Sequence, residues 1–392
     1  MKIKQNLMIF LIVIFVLLLG MSFHSEFLSV DSAGDDATST LTPYLSAVFL
    51  ILSAVTFLNL KIKNVPKFLK ITLLIVGAFF VSILLPAGLG ANVEIYPELR
   101  SLIIPMLGVL IGSQLELSSK TLRMILLIFI VCIAFSLLSQ ILANVGGFII
   151  TEQYATDLKN ILGVIGATAV VLTVGFIING NKNFVLKIFY LFLLVLLLVE
   201  LLTLRARAAT LIAFVASAGM VISHYGVSLK KVVITVVVLF AGIILTSLLI
   251  PDSVSSFIYD SFFLNQDRDF TSDRAYRNQK ALEFIADNLW FGNLDGRAAD
   301  FGWIHNYLLL QLFNFGILLS LPLILLYFYI AFVVLKNVWS HNINQIAMIG
   351  FPAMLVPLGI SLAEPTLPYG PGTTTLINFI LLGIALRAKQ QI

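Results

Sequence analysis

Residues 184–223 form one apolar stretch whose only charged residues are Lys187, Glu200, Arg205 and Arg207. As a single helix it would run about 60 Å, twice the ~30 Å hydrocarbon core of a bilayer. It must therefore fold as two antiparallel spans, and the polar break at Thr203–Arg207 is where the turn belongs. Composition agrees. With 59% hydrophobic and 11% charged residues, the chain has too few charges to cover the exterior of a soluble domain of 392 residues. The expected class is an all-α, polytopic integral membrane protein, one transmembrane domain over residues 1–392.

Met1–Phe23 has the basic start and apolar core of a signal peptide but no small-x-small cleavage site, which predicts an uncleaved first span. Further apolar runs follow at Pro43–Leu60, Phe68–Leu85, Ser101–Leu117, Met124–Leu142 and Ile161–Ile178. After the hairpin come Val232–Ile250, Trp303–Leu335, Ile346–Leu362 and Tyr369–Leu386, about twelve spans in all. Residues 251–302 are the longest polar segment, a large loop between spans nine and ten. Cytoplasmic termini put Lys61, Lys63, Lys120, Lys182, Lys230 and Lys336 on the inner side. Most arginines, including Arg100, Arg205, Arg207, Arg274, Arg277 and Arg297, then face outward with nearly every acid except Glu116. Outward arginines point to a phosphate or carboxylate partner at the outer face.

The loop carries TSDRAYRNQKALEFIADNLWFGN. Thr271, Ser272 and Asp273 give an N-cap signal, Leu282, Ile285 and Leu289 recur at helical spacing, and Gly292 suits the position after the helix. Arg274 and Arg277 share one face of the first turn, where a helix N-terminus already favours anions. A plain solvated helix fits the same residues. Arg205 and Arg207 read either as snorkelling side chains or as a ligand site, with Glu200 as a partner for one of them.

His305 stands near the start of WIHNYLLLQLFNFG, and histidine is the side-chain type suited to proton transfer at physiological pH. It is read as a base or as an interfacial belt residue beside Trp303 and Tyr307. Trp303–Leu335 as one helix would be about 50 Å long, carrying His305 above the outer leaflet. Glu364 borders the same end of span eleven, as a site carboxylate or a loop acid. Asp267-Arg268-Asp269 is a three-residue match to metal-holding DxD motifs and carries little weight. The histidines lack zinc-ligand spacing, and the single cysteine, Cys132, excludes an intramolecular disulfide.

Three segments together resemble the O-antigen ligase and O-antigen polymerase superfamily of bacterial envelopes. LLTLRARAATLIAF is similar to its apolar hairpin with a functional arginine, best fitted by Arg207, although Ala206 and the extra Arg205 depart from the pattern. SDRAYRNQKALEFIADNLWFGN is similar to its loop arginine and helix, which points to Arg274. HNYLLLQLFNFGI is similar to its His-Asn motif, with His305 in the histidine position and Gly316 in the trailing glycine position. The resemblance implies a cofactor-free, metal-independent transferase of the inner membrane, acting at the outer face on an undecaprenyl-diphosphate-linked oligosaccharide. His305, Arg274 and Arg207 would be catalytic; Arg205, Arg277, Asn306 and Glu364 would bind substrate. The acceptor would be a glycan or a lipid, with a chain-length regulator protein as a further partner and no nucleic acid. Short loop length leans toward a polymerase over a ligase. A lipid-linked-sugar transporter is the rival class, with Glu200 and Glu116 as embedded acids.

Overall fold

A computed structural model describes residues 2–30, 37–88, 95–145, 159–179, 184–225, 256, 274–294, 304–340, 349–364, 368–369 and 374–390. The apolar runs become helices α1 (Lys2–Met21), α2 (Thr42–Leu58), α3 (Lys67–Gly88), α4 (Ile95–Gln114), α5 (Ser119–Val145), α6 (Lys159–Ile178), α7 (Phe184–Thr203) and α8 (Arg207–Tyr225). The loop helix α9 (Arg274–Asp287) follows, then α10 (Tyr307–Val338), α11 (Gly350–Ile360) and α12 (Leu376–Gln390). A short antiparallel hairpin, β1 (Leu28–Val30) with β2 (Ala37–Ser39), closes the α1–α2 connection. By length and composition, α3, α5, α6, α7 and α10 can each cross a membrane. The Val232–Ile250 run and most of loop 251–302 lie outside the described residues.

The expected turn at Thr203–Arg207 is present. α7 ends at Thr203, α8 starts at Arg207, and Arg205 takes φ +53° in the corner. Ala206 N–H reaches back to Leu201 O at 3.2 Å, and Arg205 N–H to Leu202 O at 2.9 Å, so orphan carbonyls at the end of α7 are met inside the turn.

α10 departs from the expected 50 Å rod. Gly316 interrupts it with φ +62° and ψ −177°. Along a straight helix Tyr307 and Tyr327 would stand about 30 Å apart, yet their rings stack with centroids 6.2 Å apart. The helix doubles back at Gly316 into a short first arm, 307–315, and a longer second arm, 317–338. Such a break strands backbone groups, and in an apolar setting each needs a partner. The turn after α9 supplies them. Asn293 N–H donates to Phe313 O at 2.8 Å, and Leu289 O and Trp290 O accept from Ile317 N–H at 2.7 Å and Leu318 N–H at 3.2 Å. Gly292, at φ +63°, lies against Gly316 so closely that a Cβ on Gly316 would fall 2.4 Å from Phe291 N. Two glycines far apart in sequence are thus required by one backbone contact.

α9 packs on the first arm through Ala281, Ile285, Ile304 and Phe313, with Phe284 and Phe313 rings 4.7 Å apart. Both helices run toward Gly316, so their first turns lie at the same end. Of the three residues that recur at helical spacing, only Ile285 is buried; Leu282 and Leu289 are exposed. Among the described residues α9 packs chiefly on α10, and the stripe it buries is correspondingly narrow.

The C-terminal helices are short and central. Pro357 has no N–H, which frees the Ala353 carbonyl one turn earlier. Asn378 of α12 donates to that carbonyl at 2.8 Å and to Thr168 Oγ1 of α6 at 3.1 Å, so one buried amide ties three helices. A Cβ on Gly359 would meet the Ile212 side chain at 2.7 Å, and one on Gly219 would meet Leu355 at 3.2 Å. α8 and α11 are therefore antiparallel, with the start of α8 beside the end of α11.

At the opposite pole Glu116 accepts from Lys61 Nζ and Arg387 Nη2, each at 2.9 Å. Lys389 bonds Asn337 close by. Glu116 is thus not an embedded acid. It lies between α4 and α5, partly exposed, and its hydrogen bonds to Lys61 and Arg387 hold its carboxyl below the usual range.

Candidate functional site

The His-Asn pair stands at the foot of the first arm of α10. Asn306 is the N-cap: its Oδ1 accepts from Leu309 N–H at 3.1 Å, and its Nδ2 donates to Leu362 O at 3.1 Å. Tyr307 N–H donates to Ser361 O at 2.9 Å. Both bonds cap the carbonyl end of α11, so the start of one helix is tied to the end of another. Below them the Tyr327 hydroxyl donates to Leu358 O at 2.9 Å, with Ser361 Oγ 3.2 Å away.

This clamp fixes His305 against Glu364, with Nδ1 and Oε2 4.0 Å apart. The imidazole is half-buried, its Nδ1 makes no hydrogen bond among the described residues, and Glu364 is buried. A carboxylate facing Nδ1 favours the tautomer protonated there, which leaves the Nε2 lone pair open. His305 does not project above the bundle, as a straight helix would require. The fold at Gly316 returns it to the end of α11.

The arginines divide by exposure. Arg205 is buried in the α7–α8 corner and engaged there, whereas Arg207, the first residue of α8, is half-buried. The guanidinium of Arg207 has no hydrogen bond or ion pair among the described residues, which singles it out for a ligand. Glu200 partners neither: both of its carboxyl oxygens are buried with no hydrogen bond among the described residues. On α9, Arg277 is half-buried, and Arg274 is placed by its backbone alone at the first helical position. The parallel packing of α9 on the first arm brings that turn to the His305 end. The α8–α11 packing brings Arg207 to the Glu364 end of the same pole. Thr271, Ser272, Asp273, Asp267 and Asp269 lie outside the described residues.

Sequence reasoning missed Ser361 and Tyr327, which position the His-Asn pair. Both lie in apolar runs without local signal, and only the return of α10 on itself unites them. Chemically, the pole offers a base beside a carboxylate, with guanidiniums and a helix N-terminus for an anion. No protein-family model matches this chain, and no curated protein is similar to it.

Proposed function

We propose that this protein is a membrane glycosyltransferase of the O-antigen polymerase and ligase type, with about twelve spans and its site pole at the outer face of the bacterial inner membrane. The donor would be a glycan on undecaprenyl diphosphate. The observation that carries the reading is the contact between His305 and Glu364, 4.0 Å apart at the pole that also holds Arg207 and the first turn of α9. In this reading Glu364 orients the imidazole and His305 Nε2 takes the proton from the acceptor hydroxyl as it attacks the anomeric carbon. The sugar–phosphate bond breaks on the far side with inversion, and Arg207, Arg274 and Arg277 hold the departing diphosphate. Polymerase is the favoured activity and ligase the alternative, since the chemistry is shared.

The test is reconstitution with undecaprenyl-diphosphate repeat units, following chain growth on gels. His305→Ala is expected to lose ~10²–10⁴ in rate as a missing base. Arg207→Lys keeps the charge but loses the two-pronged guanidinium and is expected to be badly impaired. Wild-type rates from His305→Ala at equal protein level would refute the reading. Transfer to a supplied lipid A core without chain growth would identify the ligase.

A further inference from the structure

The turn after α9 exposes three large apolar side chains in a row: Leu289 at 42%, Trp290 at 62% and Phe291 at 56%. They follow a helix whose exposed positions mix the polar Gln279, Glu283 and Asp287 with Tyr276, Leu282 and Ala286. In water such a tripeptide would be costly and unusual. Its placement explains it. The carbonyls of Leu289 and Trp290 accept from Ile317 and Leu318 at the head of the second arm of α10. From there Leu318, Leu321, Leu325, Phe328 and Phe332 continue as one exposed apolar stripe. That arm, 317–338, is about 33 Å long, close to the ~30 Å hydrocarbon core. It ends in Lys336 and the exposed Trp339, residues suited to the opposite interface.

We propose that Leu289–Phe291 is a membrane anchor inserted among the lipid acyl chains at the interface nearest Gly316. The lipid-facing stripe runs without a break into the tripeptide, and the length of the arm sets it at the depth where aromatic residues collect in bilayers. Lipid is therefore the occupant, not a second protein. The anchor ties the end of α9 to the head of the second arm, because the same residues are bonded to the fold of α10. Nothing in this inference depends on glycan transfer.

The test uses the full chain with Trp303→Phe and Trp339→Phe, leaving Trp290 as the one tryptophan, reconstituted in phosphatidylcholine vesicles. Brominated acyl chains are expected to quench Trp290 several-fold more than iodide in the water does. Strong iodide quenching with none from brominated lipid would overturn the proposal. Quenching by neither, with an emission shift on raising protein density, would also overturn it by pointing to a second copy. Should that variant fail to fold, Phe291→Cys in a Cys132→Ser background carries a nitroxide. Greater exposure of the label to oxygen than to a water-soluble nickel chelate is expected, and the reverse order refutes the anchor.

Discussion

Gly316→Ala tests the doubled-back helix most directly. The φ +62°, ψ −177° conformation belongs almost entirely to glycine, and forcing a side chain into it costs of order 1–3 kcal/mol. The new Cβ would also lie 2.4 Å from Phe291 N and Trp290 C and 2.5 Å from Trp290 O. These are backbone atoms, so no side chain can swing aside. Separation would weaken the Ile317–Leu289 and Leu318–Trp290 bonds, at about 1 kcal/mol each. The expected loss is therefore about 3–5 kcal/mol, read as a lowered unfolding midpoint in detergent. Alanine also favours a continuous helix. Nitroxides at positions 310 and 328, one on each arm, would stand about 27 Å apart in a straight helix and much closer in the folded-back form. Wild type should give the short distance and Gly316→Ala a longer one. A wild-type distance of the straight-helix value, or a variant that loses less than about 1 kcal/mol with labels unmoved, would refute the reasoning. Gly292→Ala breaks the same contact from the other side, so the double variant should lose less than the sum of the singles.

Asn378→Leu should cost about 1–3 kcal/mol by leaving Ala353 O unpaired and removing the bond to Thr168 Oγ1; Pro357→Ala, which restores an N–H for Ala353 O, should recover part of it, and full additivity would contradict the account. Glu116→Gln should cost at most about 1 kcal/mol, because the group is partly exposed and screened. The Glu116 carboxyl is held below its ordinary value of 4.5, so its contribution is complete above that pH and fades as pH falls through the lowered value; a gap between wild type and Glu116→Gln that grows on acidification would be the wrong sign. Inorganic diphosphate should raise the unfolding midpoint of wild type, by about 2.7 kcal/mol at a hundredfold excess over its dissociation constant, and Arg207→Ala with Arg277→Ala should abolish the shift.

The α7–α8 corner was legible because length forced a turn and the polar residues marked where. Gly292 was legible as a turn glycine, although α9 ends at Asp287 and Gly292 lies five residues on, in the turn that meets Gly316. Gly316 was not, since apolar residues flank it on both sides and an isolated glycine in a helical pattern is ambiguous. What bends the chain there is the backbone of Leu289–Asn293, which no local pattern in residues 307–338 reveals. The misreading of His305 as projecting outward followed from that one omission. Leu282 and Leu289 kept helical spacing, yet spacing predicts a shared face and not which face is covered. Glu116 looked embedded because Lys61 and Arg387, its partners, are distant in sequence.

The electrostatics of the site pole then depends on which helix ends are already compensated. The N-terminus of α10 meets the C-terminus of α11 directly, through Asn306 and Tyr307 bonded to Leu362 and Ser361. Opposite dipole ends there largely cancel. α8 begins where α7 ends, so the same cancellation holds at the corner, with Arg205 taken up inside it. α9 differs. It runs parallel to the first arm of α10, which aligns two dipoles unfavourably and leaves its own positive end without a carbonyl partner among the described residues. Arg277 lies on that end, and Arg207 adds a guanidinium with no anionic partner among the described residues. An anionic group therefore gains most between α9 and Arg207, not at the imidazole, whose Nδ1 faces the Glu364 carboxylate at 4.0 Å. In the proposed reaction that separation would suit an in-line displacement, with the leaving diphosphate on the guanidinium side and His305 as base on the other.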